Sequence, residues 1–285
     1  MSALIEPELQ GAALAAEIRD ARPEPGTAAL WRLGQSGIVV RFPAAAVAID
    51  LYLGNHGEAV LGEPFDHRRM TRSPVDPVDL DALDVVICSH EHLDHLDPPT
   101  MRTLARENPR AVVVAPRACQ ALLEELGWAG RIVLADDGWV AEVAGLRVEA
   151  FAVPHDEFDA GEDGHPYLGF IVGDGRLRVG HLGDARAHRR VTAALAADPV
   201  DLLAAPINGR DDARKAMGFA GNMSAAEAVE TADDAGARLT LPMHYDMFQQ
   251  NVDAGALDAF VAAAESRALP FRVLPVGRRL ELRSS

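Results

Sequence analysis

The feature that most constrains this chain is a dense group of histidines that follows a short apolar run. His90, His92, Asp94 and His95 fall within six residues, directly after the buried-strand pattern of residues 84–88. Neutral imidazole is the commonest metal ligand in proteins, and carboxylates suit hard or borderline divalent ions. In an irregular turn, His90 and His92 point to one side while Asp94 and His95 point to another. One tight loop then supplies ligands for two metal ions.

The alternative interpretation of this segment is a solvated acidic loop with incidental histidines. Ten histidines spread over 285 residues would rarely place three within six positions behind an apolar strand. The spacing therefore favours a metal site, and it is much more specific than a lone His-x-His pair.

Three more candidate ligands occupy equivalent positions further along the chain. His155, Asp184 and His244 each follow a strand-like apolar run, at residues 148–153, 177–182 and 239–242. Open α/β sheets commonly build their sites at the carboxyl ends of strands. Taken singly, each of these residues is as readily a plain polar loop residue, but their shared position favours a common site.

The pattern along the chain predicts β-strands first and then alternating strands and helices. Residues 30–33, 38–42 and 46–50 indicate an antiparallel meander, and residues 54–82 form a long irregular segment broken by prolines. Helices are predicted over 7–21, over 98–107 with Asp97 as the cap, and over 119–126, 191–197, 224–235 and 257–268. Further strands are predicted at 84–88, 112–114, 132–134, 146–153, 167–172, 177–182, 200–204, 239–242, 271–276 and 280–282. This order predicts one α/β domain with mixed sheets over residues 1–285, of which residues 1–27 form an N-terminal helical extension.

Composition narrows the classes of function. The formal net charge is −16, which disfavours binding to nucleic acid and to anionic membrane surfaces. Cys88 and Cys119 cannot build a disulfide framework, and the start of the chain lacks the features of a signal peptide, so a cytoplasmic protein is expected. Lys215 is the only lysine, so any cation that binds an anionic substrate is expected to be an arginine.

The His-x-His-x-Asp-His box, the later His155, the Gly183-Asp184 pair and the final His244 resemble, in order, the metal motifs of the metallo-β-lactamase superfamily. The resemblance extends from about Leu30 to about Leu282. It implies an αββα sandwich of two mixed sheets flanked by helices, with the site at one edge between the sheets.

The resemblance also implies a role for each ligand. His90, His92 and His155 would hold a first metal, Asp94, His95 and His244 a second, and Asp184 would bridge the two. The ions would be zinc or manganese, and such a site also accepts iron.

A narrower resemblance points to the L-ascorbate-6-phosphate lactonase group. It rests on the segments 31–37, 49–53, 206–210, 221–223 and 244–248, with Leu51 as a departure where a proline is usual. This group often assembles into homo-oligomers, so a homo-oligomer is an expectation here as well.

The predicted function is a metal-dependent hydrolase that acts on a small anionic metabolite. A metal-bridged hydroxide would attack the substrate, Asp94 would orient this nucleophile, and a sugar-acid lactone phosphate such as L-ascorbate 6-phosphate is the expected substrate. Alternatives are a phosphodiesterase, or a metal-binding protein without catalysis. Small molecules are the expected partners.

Supporting residues are predicted as well. Asp50 is expected to orient the ligand loop from behind, although a plain turn residue is as good an interpretation. The residues predicted to contact the substrate are Asn208, Arg210, Asn222 and Tyr245. His181 is interpreted as a packed core histidine because it lies inside a strand. His56, His67 and His188 are interpreted as surface residues.

Overall fold

Two β-sheets form the centre of the structure, which is a computed structural model that describes residues 4–62, 65–155, 158 and 160–284. Within these residues, seven strands form the first sheet in the order β13-β1-β2-β3-β4-β5-β6. They are β1 (Thr27–Gly34), β2 (Gly37–Arg41), β3 (Ala46–Ile49), β4 (Val85–Ile87), β5 (Val112–Pro116), β6 (Ile132–Ala135) and β13 (Arg279–Arg283). Strands β1, β2 and β3 pair antiparallel, as the predicted meander requires, and β3 to β6 pair parallel.

The second sheet has six strands within the described residues, in the order β12-β11-β10-β9-β8-β7. They are β7 (Val140–Val143), β8 (Leu146–Ala152), β9 (Leu168–Gly173), β10 (Arg178–His181), β11 (Leu202–Pro206) and β12 (Thr240–Met243). Strand β9 is antiparallel to both β8 and β10, and β10, β11 and β12 are mutually parallel. Strands β8, β10, β11 and β12 therefore end at the same edge of the sheet.

Helices cover the outer faces of both sheets. They are α1 (Gly11–Asp20), α3 (Pro98–Glu107) and α4 (Gln120–Leu123) on the first sheet, and α5 (Arg189–Ala196), α7 (Ala225–Asp234) and α8 (Ala256–Ser266) on the second. Two further short helices are α2 (His56–Val60) and α6 (Asp212–Ala216). Short 3₁₀ helices occupy Pro77–Asp79, Arg117–Cys119 and Gln249–Asn251. None of the helices in the described part of the chain has the length and apolar character needed to cross a lipid bilayer.

The burial pattern shows how the layers stack. Val85 and Ile87 of β4 belong to the core between the sheets, whereas Val86 faces the outer core with α1 and α3. In the second sheet, Leu202 faces the inner core and Leu203 the outer core with α5, α7 and α8. Because side chains alternate along a strand, both sheets are buried on both faces. The αββα sandwich predicted from the resemblance is confirmed.

Several predicted elements differ in detail. The helix predicted over 119–126 is a short α4 that passes into a π-helical turn at Glu124–Trp128, where Gly127 adopts a φ of +95°. The strand predicted over 271–276 is wrong, because Phe271 makes a single bridge with Thr240 and Pro275 has no amide hydrogen to donate. Asp97 precedes α3, but its carboxylate binds the Thr100 hydroxyl and the Gly54 amide instead of capping the helix. The capping box of Ser224 and Glu227 opens α7 as predicted.

A buried ion pair ties β1 to the residues that follow β12. Arg32 donates from Nη1 to Asp246 Oδ2 over 2.9 Å and from Nη2 to Oδ1 over 2.5 Å, and it is 1% exposed. The Arg32 guanidinium also stacks 4.8 Å from the centre of the Tyr245 ring. The two-pronged contact fixes the loop that carries His244 against the first sheet.

Replacing Arg32 should destabilise the fold strongly. Arg32→Ala leaves the Asp246 carboxylate buried without its cation, and breaking a buried pair in this way costs about 3–5 kcal/mol. Urea denaturation measures the loss. The matched control is Arg72→Ala, because the pair of Arg72 with Glu6 is half-exposed and should contribute nothing measurable. Equal stability of the two variants would show that the buried pair does not hold this junction.

Candidate metal centre

The histidine loop follows β4 and folds back on itself. The amides of His95 and Leu96 both donate to the carbonyl of His92, over 2.9 and 2.8 Å. This tight turn directs two pairs of side chains into neighbouring groups. His90 and His92 belong to one group of closely spaced ligand atoms, and Asp94 and His95 to another. The turn therefore divides the box between two groups, as its spacing indicates.

The second sheet supplies the remaining members of both groups. His155 lies three residues beyond β8, Asp184 three beyond β10 and His244 one beyond β12, at the shared edge of these strands. The first group comprises His90, His92, His155 and Asp184, and the second comprises Asp94, His95 and His244. Within each group the ligand atoms all lie within 4.8 Å of one another. The structure thus brings together all seven residues predicted as ligands.

Asp184 lies between the two groups. Its Oδ1 is 3.2 Å from Nε2 of both His95 and His244, and its Oδ2 is 3.5 Å from Nε2 of His155. Gly183 beside it adopts a φ of +55°, and a Cβ there would come within 2.7 Å of Ser89. Glycine at this position thus lets the Asp184 turn pack directly against the histidine loop.

The chemistry of these side chains fits divalent metal ions. Nε2 of His90, Nε2 of His95 and Oδ1 of Asp184 are buried and make no hydrogen bond within the described part of the chain. Leaving buried polar atoms unpaired is costly, so orphaned atoms that converge on one point indicate a missing partner. Imidazole nitrogens and carboxylate oxygens are the donors that zinc, manganese and iron accept.

Charges in the cluster compensate one another. Burial lowers the pKa of His90 well below its ordinary value. Burial also opposes the charged form of His244, but the Asp184 and Asp94 carboxylates outweigh it and raise the pKa of His244 to about 9. The same carboxylates, against burial, raise the pKa of His95 well above its ordinary value. Despite burial, His95 and His244 hold the pKa values of both carboxylic acids well below the usual range.

Asp50 supports the ligand loop from behind. It is fully buried at the end of β3, where its Oδ1 accepts from the Ser89 amide over 2.7 Å and its Oδ2 from the Ser89 hydroxyl over 2.6 Å. Asp50 Oδ2 also lies 2.7 Å from Nδ1 of His95, and the Ser89 hydroxyl lies 2.9 Å from Nδ1 of His90. These contacts engage Nδ1 of both histidines and leave Nε2 facing the site.

His181 is a packed core histidine, as predicted. Its Nε2 donates to the Ser36 carbonyl over 2.8 Å, and its Nδ1 accepts from the Gly183 amide over 3.1 Å. Both ring nitrogens are therefore engaged outside the two ligand groups.

Gln35 is a site residue that the sequence reasoning missed. Its Nε2 lies 2.7 Å from Asp94 Oδ2 and 3.0 Å from His244 Nε2. Its backbone carbonyl accepts a hydrogen bond from the His244 amide. Gln35 is 1% exposed and adopts a φ of +50°. The segment 31–37 was informative only as a family resemblance, because nothing in its spacing indicates a side chain that reaches ligands 59 and 209 residues away.

A cavity of about 350 Å³ opens beside the ligands. His92, Asp94, His155 and Asp184 form its floor, and the lining includes Asn222. The other predicted substrate contacts lie elsewhere among the described residues. Asn208 binds Asn222 and Asn251, Arg210 pairs with Glu227, and Tyr245 stacks on Arg32. Their roles in binding substrate stay predictions.

Aromatic side chains, which the sequence reasoning did not place in the site, also line the cavity. They are Tyr52, Phe65, His67, Phe219 and Phe248. The interpretation of His67 as a surface residue is wrong, because its ring is half-buried among these aromatics. Tyr52 and Phe248 lie in the segments 49–53 and 244–248 that carry the narrower family resemblance. Phe65, His67 and Phe219 come from irregular segments without periodicity, so no pattern in the sequence indicated them.

Comparisons with known proteins agree with this geometry. The sequence profile of the Beta-lactamase superfamily domain matches residues 55–245, about two-thirds of the chain. A metal-dependent hydrolase from Aeropyrum pernix is 27% identical over 228 residues, which cover 74% of this chain and 85% of that protein. A probable L-ascorbate-6-phosphate lactonase from Escherichia coli is 27% identical over 173 residues, which cover 52% of this chain and 46% of the relative. The chain thus matches about half the length of this lactonase.

A solved structure shares the fold. Igni18, a metallo hydrolase from the archaeon Ignicoccus hospitalis, superposes with a TM-score of 0.68 at 19% sequence identity, covering 91% of this chain and 100% of that one. With the profile match over residues 55–245, the resemblance first drawn from the histidine box is confirmed. The chain belongs to the metallo-β-lactamase superfamily of metal-dependent hydrolases.

Proposed function

We propose that this chain is a hydrolase that uses two divalent metal ions to cleave an ester or lactone bond. The observation that carries the proposal is the pair of ligand groups meeting at Asp184, with orphaned Nε2 atoms of His90 and His95 facing inwards. His90, His92 and His155 would hold one ion, Asp94, His95 and His244 the other, and Asp184 both. Zinc and manganese are the ions proposed, and the donor set also suits iron.

The bound ions would supply Lewis acidity, which lowers the pKa of water towards neutrality and polarises a carbonyl oxygen. The chain's own residues supply the orientation. Asp94 lines the cavity with 17% of its side chain exposed, and its depressed pKa keeps it ionised to accept a hydrogen bond from the attacking water. Gln35 fixes this carboxylate by donating to its Oδ2. The partly enclosed cavity limits access of bulk water to the reacting centre.

The lactone bond is supported by the relative described as a probable L-ascorbate-6-phosphate lactonase. The anionic metabolite expected from the sequence, with L-ascorbate 6-phosphate as the example, stays a prediction. Among the described residues that line the cavity there is no arginine or lysine to bind its phosphate. The complete ligand set favours an enzyme over a metal-binding protein without catalysis.

Removing one ligand should abolish hydrolysis. His92→Ala removes one of the four ligands of the first group. Losing a residue that only orients a ligand lowers activity about 10- to 100-fold, so we expect the loss of a ligand itself to lower kcat/KM towards lactones more than about 100-fold. The control is His188→Ala, because His188 caps α5 away from the site. Chelation should inactivate the wild type, and added zinc or manganese should restore it. A metal-free wild type, or a His92→Ala variant, that hydrolyses lactones as fast as the metal-loaded wild type would refute the proposal.

Asp50 should control metal affinity without being a ligand. Asp50→Asn weakens the contact that fixes His95, and losses of this kind lower metal affinity about 10- to 100-fold. Competition with a chromophoric chelator measures the change. The matched control is Asp136→Asn, because Asp136 Oδ1 contacts His165 Nδ1 over the same 2.7 Å but in an exposed position. If both variants bind metal like the wild type, Asp50 does not set the geometry of the site.

A further inference from the structure

The wall of the active-site cavity points to the class of substrate. We propose that the substrate carries an uncharged aromatic ring next to the scissile bond, as in an aryl lactone. This inference rests on the proposed hydrolytic function and adds the chemical class of the group that lies next to the bond to be cleaved. Its basis is the set of five side chains called here the aromatic wall: Tyr52, Phe65, His67, Phe219 and Phe248.

The aromatic wall is a continuous set of ring contacts. Phe65 and Phe219 meet edge to face with centroids 5.4 Å apart, and Tyr52 and Phe248 do so at 5.5 Å. His67 joins the two pairs, since its ring lies 4.8 Å from Phe248 and stacks 6.1 Å from Phe219. Mutual contacts of this kind hold the rings in place, so the wall offers a pre-formed apolar surface to a flat ligand.

Part of this wall is left uncovered by the protein. Phe65 and Phe219 are only partly buried, although both are large apolar side chains that face the cavity. Phe248, which contacts the rings of Tyr52 and His67, is 1% exposed. Covering exposed aromatic surface is favourable in water, so an apolar ring of the substrate gains binding free energy here.

Charge disfavours an anionic group in the same place. Within the described residues, arginines near the cavity are turned to other partners. Arg210 pairs with Glu227, and Arg186 donates to the Ala220 carbonyl. Arg69 donates to the carbonyls of Tyr52 and Gly54 and lies 5.1 Å from the centre of the Tyr52 ring, with its Nη2 unpaired among the described residues. None of these three arginines lines the cavity. The structure does not describe residues 1–3, 63, 64, 156, 157, 159 and 285. None of these residues is an arginine or a lysine in the sequence. Glu91 adds a negative charge to the lining.

One buried polar atom of the wall lacks a hydrogen-bond partner. Nδ1 of His67 is buried and makes no hydrogen bond among the described residues. Burial lowers the pKa of His67, so its ring is predominantly neutral near pH 7. A neutral His67 ring stacks on an uncharged aromatic group and carries no positive charge to attract an anion. The wall thus provides apolar contact, and the metal ligands on the floor face the bond to be cleaved.

The reaction on such a substrate is an ordinary hydrolysis. The oxygen of water forms a bond to the lactone carbonyl carbon, and the bond from that carbon to the ring oxygen breaks. The released phenolic oxygen takes a proton, and the product is a hydroxy acid. No co-reactant besides water is needed.

Dihydrocoumarin and δ-valerolactone test the inference because they share a six-membered lactone, with and without a fused benzene ring. Phe219→Leu should lower kcat/KM for dihydrocoumarin about 3- to 10-fold, the range expected for losing one aromatic contact, mainly through KM. Its kcat/KM for δ-valerolactone, which has no benzene ring, should fall less, so the ratio of the two kcat/KM values should drop about 3-fold or more. Phe65→Leu should behave in the same way, so the test does not depend on the folding of one variant.

The matched control is Phe271→Leu. Phe271 is also partly buried and meets Phe260 edge to face at 5.8 Å, but it lies outside the cavity lining. It should leave both substrates unaffected. The inference is overturned if Phe219→Leu and Phe65→Leu impair both lactones equally. It is also overturned if the wild type prefers L-ascorbate 6-phosphate to dihydrocoumarin in kcat/KM.

A binding experiment separates this inference from the proposed function. Saturation-transfer NMR on His92→Ala should show dihydrocoumarin bound, and the added Phe219→Leu change should weaken that signal. Binding that depends on Phe219, without hydrolysis by the wild type, supports the aromatic wall and refutes the hydrolase. Hydrolysis without any dependence on Phe219 or Phe65 does the reverse.

Discussion

The site depends on one buried carboxylate. Asp50 has no exposed surface, and a buried charge is tolerated only where partners compensate for lost water. The Ser89 amide, the Ser89 hydroxyl and the His95 imidazole provide these contacts, and His181 Nδ1 lies 3.8 Å away. Ser89 and His95 belong to the loop after β4 and His181 belongs to β10, so the need to satisfy Asp50 brings the ends of β3, β4 and β10 together. The metal ligands are placed by the same contacts.

Residues with unusual backbone conformations are concentrated at this junction as well. Gln35, Asp50 and His244 all have φ values between +50° and +64°, a region that non-glycine residues rarely occupy, and Gly183 has a φ of +55°. Such conformations persist only where surrounding contacts over-determine them. Here the Arg32–Asp246 pair, the Gln35 contacts and the Asp50 contacts do so. The strained residues lie at the strand ends where both sheets contribute to one site.

The sequence predicts those parts of the structure whose residues lie close together along the chain. The histidine box, the strand-end ligands and the meander are local patterns, and residue type and period identify them. The aromatic wall is not local, because Phe65 and Phe219 come from irregular segments that only the tertiary structure brings together. Arg210 shows the limit of a local signal, and its role in binding substrate stays a prediction. An arginine after a strand looks available for substrate, but Glu227, already known as half of a capping box, engages its guanidinium.

The charge balance of the metal centre connects these observations to catalysis. In the metal-free protein, protons on His95 and His244 offset the Asp94 and Asp184 carboxylates, as their raised pKa values show. Two divalent ions in place of those protons bring four positive charges against the three carboxylates of Asp50, Asp94 and Asp184. The local excess of positive charge then needs no arginine. An uncharged substrate meets that charge only as its carbonyl oxygen becomes negative, so the interaction is strongest in the transition state. The remote charge of an anionic substrate would be attracted equally before and during the reaction, so this attraction would strengthen binding without accelerating the chemical step. The charge that develops on the carbonyl oxygen is thus the part of the interaction that favours the transition state, and the apolar wall of the same cavity adds binding free energy for an uncharged ring.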